Sequence, residues 1–260
     1  HFAALLEMAL PFATALPLVL LRRYQGAPRL PGIAVAQVVA AALSALCILL
    51  AIVYSLSRMA LCGALVSLAM LILLGRHTGI GRRTWIAAGS IVAAIGILTF
   101  VIIPPVQTVA RFAKTASHPG SLIVDRFPIW EETVRLAADY PVFGCGLGAR
   151  EFAYLRYKTA FPLYTSDFAH NDFLQLFAEL GAVGFLLAAA LGVAVMWTAW
   201  RAARGQTEMR VRYMAFAALA AMVALFLHSF VDFNLYIPAN ALLLAWIAGI
   251  SCGLRGGAPV

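Results

Sequence analysis

A histidine standing immediately before a long apolar run is well placed to handle protons, and His170, in Ala169-His170-Asn171-Asp172-Phe173, is such a residue. An imidazole is the side chain that ordinarily takes up or releases a proton near neutral pH. Asn171 or Asp172 can cap the helix that follows, with Gln175 spaced for a capping-box-like return bond, so His170 is expected at the helix mouth beside free backbone N–H groups. The same position also suits a capping or packing histidine. Arg58, in Ser55-Leu56-Ser57-Arg58, is on its own an ordinary interfacial arginine. His228 and Asp232 are four residues apart and share a face if helix continues that far; a proton-handling pair and a hairpin-stabilising contact fit equally. Glu179 falls about two turns into the apolar run, where a carboxylate is costly unless turned to the protein interior, and structural pairing suits it better than catalysis. Gly144-Cys145-Gly146-Leu147-Gly148 has glycines at alternate positions, as nucleotide-binding loops do. No strand is expected before it, and a tight turn is the expected form.

The elements that must position these residues are membrane spans. With 63% hydrophobic and 12% charged residues and a mean hydropathy of +0.91, the 260-residue chain is not a soluble globule. Its apolar blocks have the length a helix needs to cross a hydrocarbon core of about 30 Å. Seven spans are expected: Phe2 to Leu21, Pro31 to Ser55, Met59 to Leu74, Trp85 to Ile103, Phe173 to Trp200, Tyr213 to Phe230 and Ala239 to Leu254. Alternate ends carry Arg22, Arg23 and Arg29, then Arg76, Arg82 and Arg83, then Arg201, Arg204, Arg210 and Arg212, then Arg255, against Glu208 alone. Basic loops stay cytoplasmic, so these ends are expected inside, and the turn at Arg58, the stretch from Pro104 to Ala169 and the turn at Asp232 outside. Eleven of the 19 basic residues thus serve topology, which removes nucleic acid as the reason for a net charge of +8.

The chain opens on His1 in mid-hydrophobic sequence and is expected to be the C-terminal part of a longer protein, a single membrane domain over 1–260. Cys47, Cys62 and Cys252 fall in expected spans and Cys145 alone outside, so neither a disulfide pair nor a metal-type cysteine spacing is expected there. The external stretch 104–169 has 66 residues with seven basic and six acidic side chains, a length that usually signals function. Within it, Pro128 at a first helical position, Glu131 and Glu132 in the first turn, Arg135 later and Pro141 as a stop describe a short amphipathic helix. Its apolar side is expected on the membrane surface or on the bundle.

The order of these pieces adds specificity. Ser55-Leu56-Ser57-Arg58 opens a span, Asp125-Arg126-Phe127-Pro128-Ile129-Trp130 begins the loop helix, and Pro141 to Gly148 forms the glycine-rich turn. His170-Asn171 follows, then Gln175, Glu179, Gly181 and Gly184, and His228-Ser229-Phe230-Val231-Asp232 with Pro238 closes the chain. From about Leu43 to Leu191 this resembles the superfamily of O-antigen ligases and O-antigen polymerases, bacterial inner-membrane glycosyltransferases that also include protein O-oligosaccharyltransferases. Its members usually have about a dozen spans, so several N-terminal ones would precede this chain.

The resemblance implies transfer of a glycan from an undecaprenyl-pyrophosphate carrier to an acceptor hydroxyl at the periplasmic face, without cofactor, metal or nucleotide sugar. The acceptor is lipid A core, a growing glycan or a protein; membrane lipid is the remaining partner, and nucleic acid is none. Negative charge grows on the pyrophosphate as the glycosidic bond breaks, so fixed cations there lower the barrier, and Arg58 and Arg126 are the candidates. His170 is the candidate base for the acceptor hydroxyl, or orients pyrophosphate; Asn171 caps the helix or orients His170. Direct attack would invert the anomeric centre. His228, Asp232 and Glu179 are secondary candidates. Arg111, Lys114, Arg150, Arg156 and Lys158 either meet sugar or lipid phosphates or are solvated loop charges. Tyr154, Tyr157, Tyr164, Phe152 and Phe161 either stack on sugar rings or form an interfacial belt. The competing classes are a lipid-linked glycan transporter, which should carry ionisable residues near the midplane whereas here they gather at one face, and a non-catalytic assembly subunit.

Overall fold

The computed structural model describes residues 1–24, 31–75, 126–159 and 167–254, and among the described residues every regular element is helical. The helices are α1 (Phe2–Arg23), α2 (Gly32–Tyr54), α3 (Arg58–Gly75), α4 (Phe127–Asp139), α5 (Arg150–Tyr154), α6 (Asp172–Gly205), α7 (Met209–Ser229) and, after a 3₁₀ turn at Asn234–Tyr236, α8 (Pro238–Gly253). Four stretches are long and apolar enough to cross a membrane: Phe2–Leu21, Gly32–Tyr54, Asp172–Gly205 and Met209–Ser229. The expected spans from Met59 and from Ala239 correspond to shorter apolar helices, Arg58–Leu73 and Pro238–Gly253, and the expected span from Trp85 to Ile103 lies outside the described residues. Among the described residues, then, four of the seven expected spans are long and apolar enough to cross a membrane.

The chain divides into two compact units. The first comprises His1–Val106, Val195–Leu225 and Leu242–Val260. Here α1 packs on α2 and α3, with Ala3, Leu10, Ile52, Ala60 and Ala64 buried together. A second cluster joins Ala15, Leu18 and Leu71 to Ala202, Ala203, Ala217 and Ala220. Small side chains let helix backbones approach closely, which is where membrane helices gain contact energy. Pro11 and Pro17 lie inside α1. Each lacks an N–H, and the Thr14 hydroxyl donates to the carbonyls of Leu10 (2.9 Å) and Pro11 (3.0 Å) in the same stretch. Glu7 is fully buried, and α3 passes close to it at Gly63, where a Cβ would come within 2.8 Å of the Glu7 Oε2.

The second unit, Gln107–Ala194 with Phe226–Ala241, holds α4, α5, the start of α6 and the hairpin between α7 and α8. Leu136 and Ala137 of α4, Tyr154 of α5 and Ala178 of α6 form its core. The loop helix begins at Phe127, one residue ahead of the expected start, so Glu131 and Glu132 fall beyond the first turn and do not serve the helix N-terminus. Glu131 pairs instead with Arg135 at 2.6 Å on the exposed face. Glu132 is buried and accepts hydrogen bonds from the Tyr154 hydroxyl and from Thr159, through its N–H (2.6 Å) and its hydroxyl (2.9 Å).

The glycine-rich turn is a splice in α6. Gly181 has φ 64° and ψ −171°, which breaks the helix and frees the backbone groups on either side. The turn supplies their partners: Cys145 N–H donates to Ala178 O (2.9 Å) and Gly146 N–H to Glu179 O (3.0 Å), while the N–H groups of Ala182 and Val183 donate to Pro141 O (2.8 Å) and Val142 O (3.1 Å). Where water is excluded, an unpaired backbone group costs several kcal/mol, so these four bonds offset the break. The two chains lie so close that a Cβ on Gly144 would fall on the Glu179 carbonyl, and one on Gly181 on the Val142 carbonyl. Both glycines also hold positive φ, so two separate constraints require them.

Candidate functional site

His170 is placed by a clamp on the residue before it. The Ala169 N–H donates to Gln175 Oε1 (2.9 Å), and the Ala169 carbonyl accepts from the Trp130 indole N–H (2.9 Å). Beyond it, Asn171 Oδ1 accepts the Leu174 N–H at 3.0 Å and caps α6. Between these fixed points His170 takes a left-handed backbone conformation, φ 50°, an uncommon state for a side chain with a Cβ. Strain of this kind persists only where the surroundings hold it, and the clamp and cap do so. The expected capping-box return from Gln175 is absent: Gln175 reaches past the cap to Ala169 and donates its amide to Glu179 Oε1 (3.1 Å).

The turned backbone sets the imidazole against the hairpin. His170 Nδ1 lies 3.8 Å from Asp232 Oδ1, and His228 Nε2 lies 3.5 Å from Asp232 Oδ2. The helix does not continue as far as Asp232, because α7 stops at Ser229, so His228 and Asp232 share no helix face; the chain's return at Val231 and Asp232 brings the carboxylate back, as in the hairpin alternative. Asp232 O accepts the Asp172 N–H (3.1 Å), and Asp172 Oδ2 accepts the Leu235 N–H (3.0 Å), so the hairpin is tied to the first residue of α6. Phe233 meets the His170 ring edge-on at 4.9 Å and stacks on Phe168 at 4.2 Å. Burial works against the Asp232 charge, but the two imidazoles and the Phe233 N–H outweigh it and hold the carboxyl well below the usual range. Asp232 is therefore an anion facing two imidazoles.

Arg126, the residue before α4, reaches the same hairpin, where its Nη1 donates to the Val231 carbonyl. One donor of a five-donor fork is thus spent on the residue next to Asp232. Glu179 is buried away from this cluster: its Oε2 accepts from Gly148 N–H (2.9 Å) and the Tyr236 hydroxyl (2.8 Å), which locks the glycine-rich turn, α6 and the hairpin together. Burial and the Glu179 carboxylate push the Tyr236 phenol upward, keeping it a neutral donor. Arg58 belongs to the first unit, as the first residue of α3, with the Ser57 hydroxyl accepting the Ala60 N–H (3.3 Å) to cap that helix; Leu56 before it has φ 61°. Arg58 Nη1 is buried without a hydrogen bond among the described residues.

Arg150 is neither a solvated charge nor exposed to a ligand. It is fully buried, donates from Nη2 to Thr133 Oγ1 (3.0 Å) and lies over the Tyr154 ring at 4.4 Å. Burial lowers its pKa, and the nearby Tyr154 and Glu179 oppose that. Tyr154 is likewise buried and Tyr157 donates to Asp139, so two of the candidate stacking aromatics serve the loop's own structure. Arg111, Lys114, Phe161 and Tyr164 lie outside the described residues. Trp130 and Tyr236, like Phe168 and Phe233, are site residues with no role foreseen. Trp130 sits in the first turns of α4, four residues after the capping position Arg126, and that spacing is the signal that could have singled it out.

Among the described residues every regular element is helical and several helices are long and apolar enough to cross a membrane, which defines a multi-pass membrane protein. The O-antigen ligase family (Wzy_C) matches residues 43–189, more than half of the sequence, and the chain belongs to that family. This is a bacterial membrane protein of ligase or polymerase type. No curated protein matches it.

Proposed function

We propose that the protein transfers a glycan from an undecaprenyl-pyrophosphate carrier to an acceptor hydroxyl, with His170 as general base and Arg126 and Arg58 stabilising the pyrophosphate leaving group. The observation that carries this is the meeting of a base and a cation at one hairpin: Arg126 holds Val231, and His170 faces Asp232 beside it. With Nδ1 directed at an anionic carboxylate, the proton of a neutral imidazole is favoured on Nδ1, and Nε2 is the lone pair left for substrate. The acceptor oxygen attacks C1 of the donor sugar as its proton passes to Nε2. The bond from C1 to the phosphate oxygen breaks, and undecaprenyl pyrophosphate leaves with its electron pair. One displacement inverts the anomeric centre.

Arg126 is suited to the leaving group because its planar fork keeps further donors beyond the one on Val231 and stays charged when partly desolvated. Arg58 enters through the Ser55–Arg58 motif of the family resemblance. Ligase, polymerase and protein transferase differ in acceptor and share the donor; lipid A core is the acceptor put forward, and the periplasmic face of the inner membrane the place. The test is transfer in proteoliposomes by the purified full-length protein, given undecaprenyl-pyrophosphate glycan and each acceptor class without added metal or nucleotide. Glycan on lipid A core with inverted anomeric configuration is expected. Glycan flipping without transfer to any acceptor contradicts the proposal and supports a transporter.

A further inference from the structure

We propose that the segment from Val142 to Leu155 is an interfacial anchor, seated in the lipid leaflet that borders the His170 end of α6. Phe143, Leu147 and Phe152 are 76%, 71% and 74% exposed, and Val142 and Leu155 are also at least half exposed. Five large apolar side chains so exposed in one short segment make a patch rather than the single scattered residues normal on a protein surface. The local structure explains their direction. On α5, Arg150 and Tyr154 are one turn apart and both buried, so Phe152, about 200° round the helix from Arg150, points away from the protein.

The occupant follows from where the segment is fixed. Ala182 and Val183 bond to Pro141 and Val142, so the turn is attached directly to α6 at the Gly181 break. From Gly181 to Arg201, the next charged residue along α6, is roughly 20 residues, or about 30 Å at about 1.5 Å per residue, the thickness of a hydrocarbon core. Along that stretch Leu186, Leu187 and Leu191 are exposed, as lipid-facing side chains are. Gly181 thus marks the level at which α6 enters the hydrocarbon, and Val142 and Phe143 are held at that level. Apolar side chains there meet acyl chains. Arg156, exposed just past the patch, has an aliphatic stem to lie in the boundary and a charged head to reach lipid phosphate. The anchor stands whatever reaction His170 serves.

The test places a nitroxide label singly at 143, 147 and 152 in the full chain, with its four native cysteines replaced by serine, in proteoliposomes. Collision with oxygen, which concentrates in lipid, is compared with collision with a water-soluble nickel chelate. All three positions are expected to shift to the oxygen-dominated ratio that a label at Leu187 gives, while a label at Glu151 stays water-like. Water-like ratios at all three overturn the anchor. Suppression of both collisions also overturns it, and shows a second copy or another protein on the patch. If the cysteine-free chain does not fold, an environment-sensitive fluorescent amino acid at 143 in the native chain decides: a blue shift, with quenching by lipids labelled near the headgroup, supports the anchor, and a water-like spectrum overturns it.

Discussion

Nδ1 of His170 lies 3.8 Å from Oδ1 of Asp232, a pairing that joins the mouth of α6 to the hairpin after α7. At that separation the carboxylate orients the imidazole through its field rather than through a short hydrogen bond. Asp232→Asn keeps the shape and removes the charge, so it should lower kcat by about 10- to 100-fold, less than loss of a general base, with KM for the donor unchanged. A KM increase with unchanged kcat would show that Asp232 serves donor binding instead.

Asp232 also makes stability depend on pH. Its folded pKa is depressed, so the stability it contributes is complete above the unfolded value of about 4 and is lost as pH falls through the folded one. Thermal midpoints of the wild type and Asp232→Asn should differ at pH 6 to 7 and converge as pH drops below about 4. A gap that persists unchanged into acid would remove the charge from the explanation.

The splice in α6 predicts a graded response among glycines. Gly181→Ala and Gly144→Ala combine a left-handed backbone, about 1–2 kcal/mol, with collision against the facing chain, and should lower the melting temperature strongly. Gly148→Ala has the positive φ, 74°, but open space around it, and should cost only the backbone share. Equal losses at all three would mean that the close approach carries no weight.

Tyr236→Phe removes one of the donors to Glu179 and leaves a buried carboxylate oxygen with the Gly148 N–H alone, at a cost of about 1–3 kcal/mol. Glu179→Ala leaves the Gly148 N–H and the Tyr236 hydroxyl without it and should cost more. Chemical or thermal unfolding in detergent orders the two variants, and the reverse order would refute the lock.

The sequence made the apolar helices, the Asn171 cap and the position of His170 at a helix mouth legible, because each follows from local spacing. The contacts these residues make to complete the site were out of reach of spacing. Asp232 meets His170 only because the chain turns back after Ser229, and Trp130 and Gln175 both spend their polar groups on Ala169. The glycine-rich turn was visible as a turn, but its purpose depends on a break at Gly181 that no local rule announces, since glycine is common in membrane helices. Arg150 shows the limit from the other side: a charged residue in a polar loop looks solvated, and only the fold shows it buried against Thr133 and Tyr154.

The central claim is that His170 takes the acceptor proton while Arg126 supports the departing pyrophosphate. The most direct measurement is single-turnover transfer from saturating undecaprenyl-pyrophosphate glycan by the wild type, His170→Ala and Arg126→Ala proteins in proteoliposomes. His170→Ala should slow the step by about 10²- to 10⁴-fold with donor still bound, and Arg126→Ala should slow the same step and also weaken donor binding. Transfer at the wild-type rate by both variants, each shown to be folded, would contradict the account.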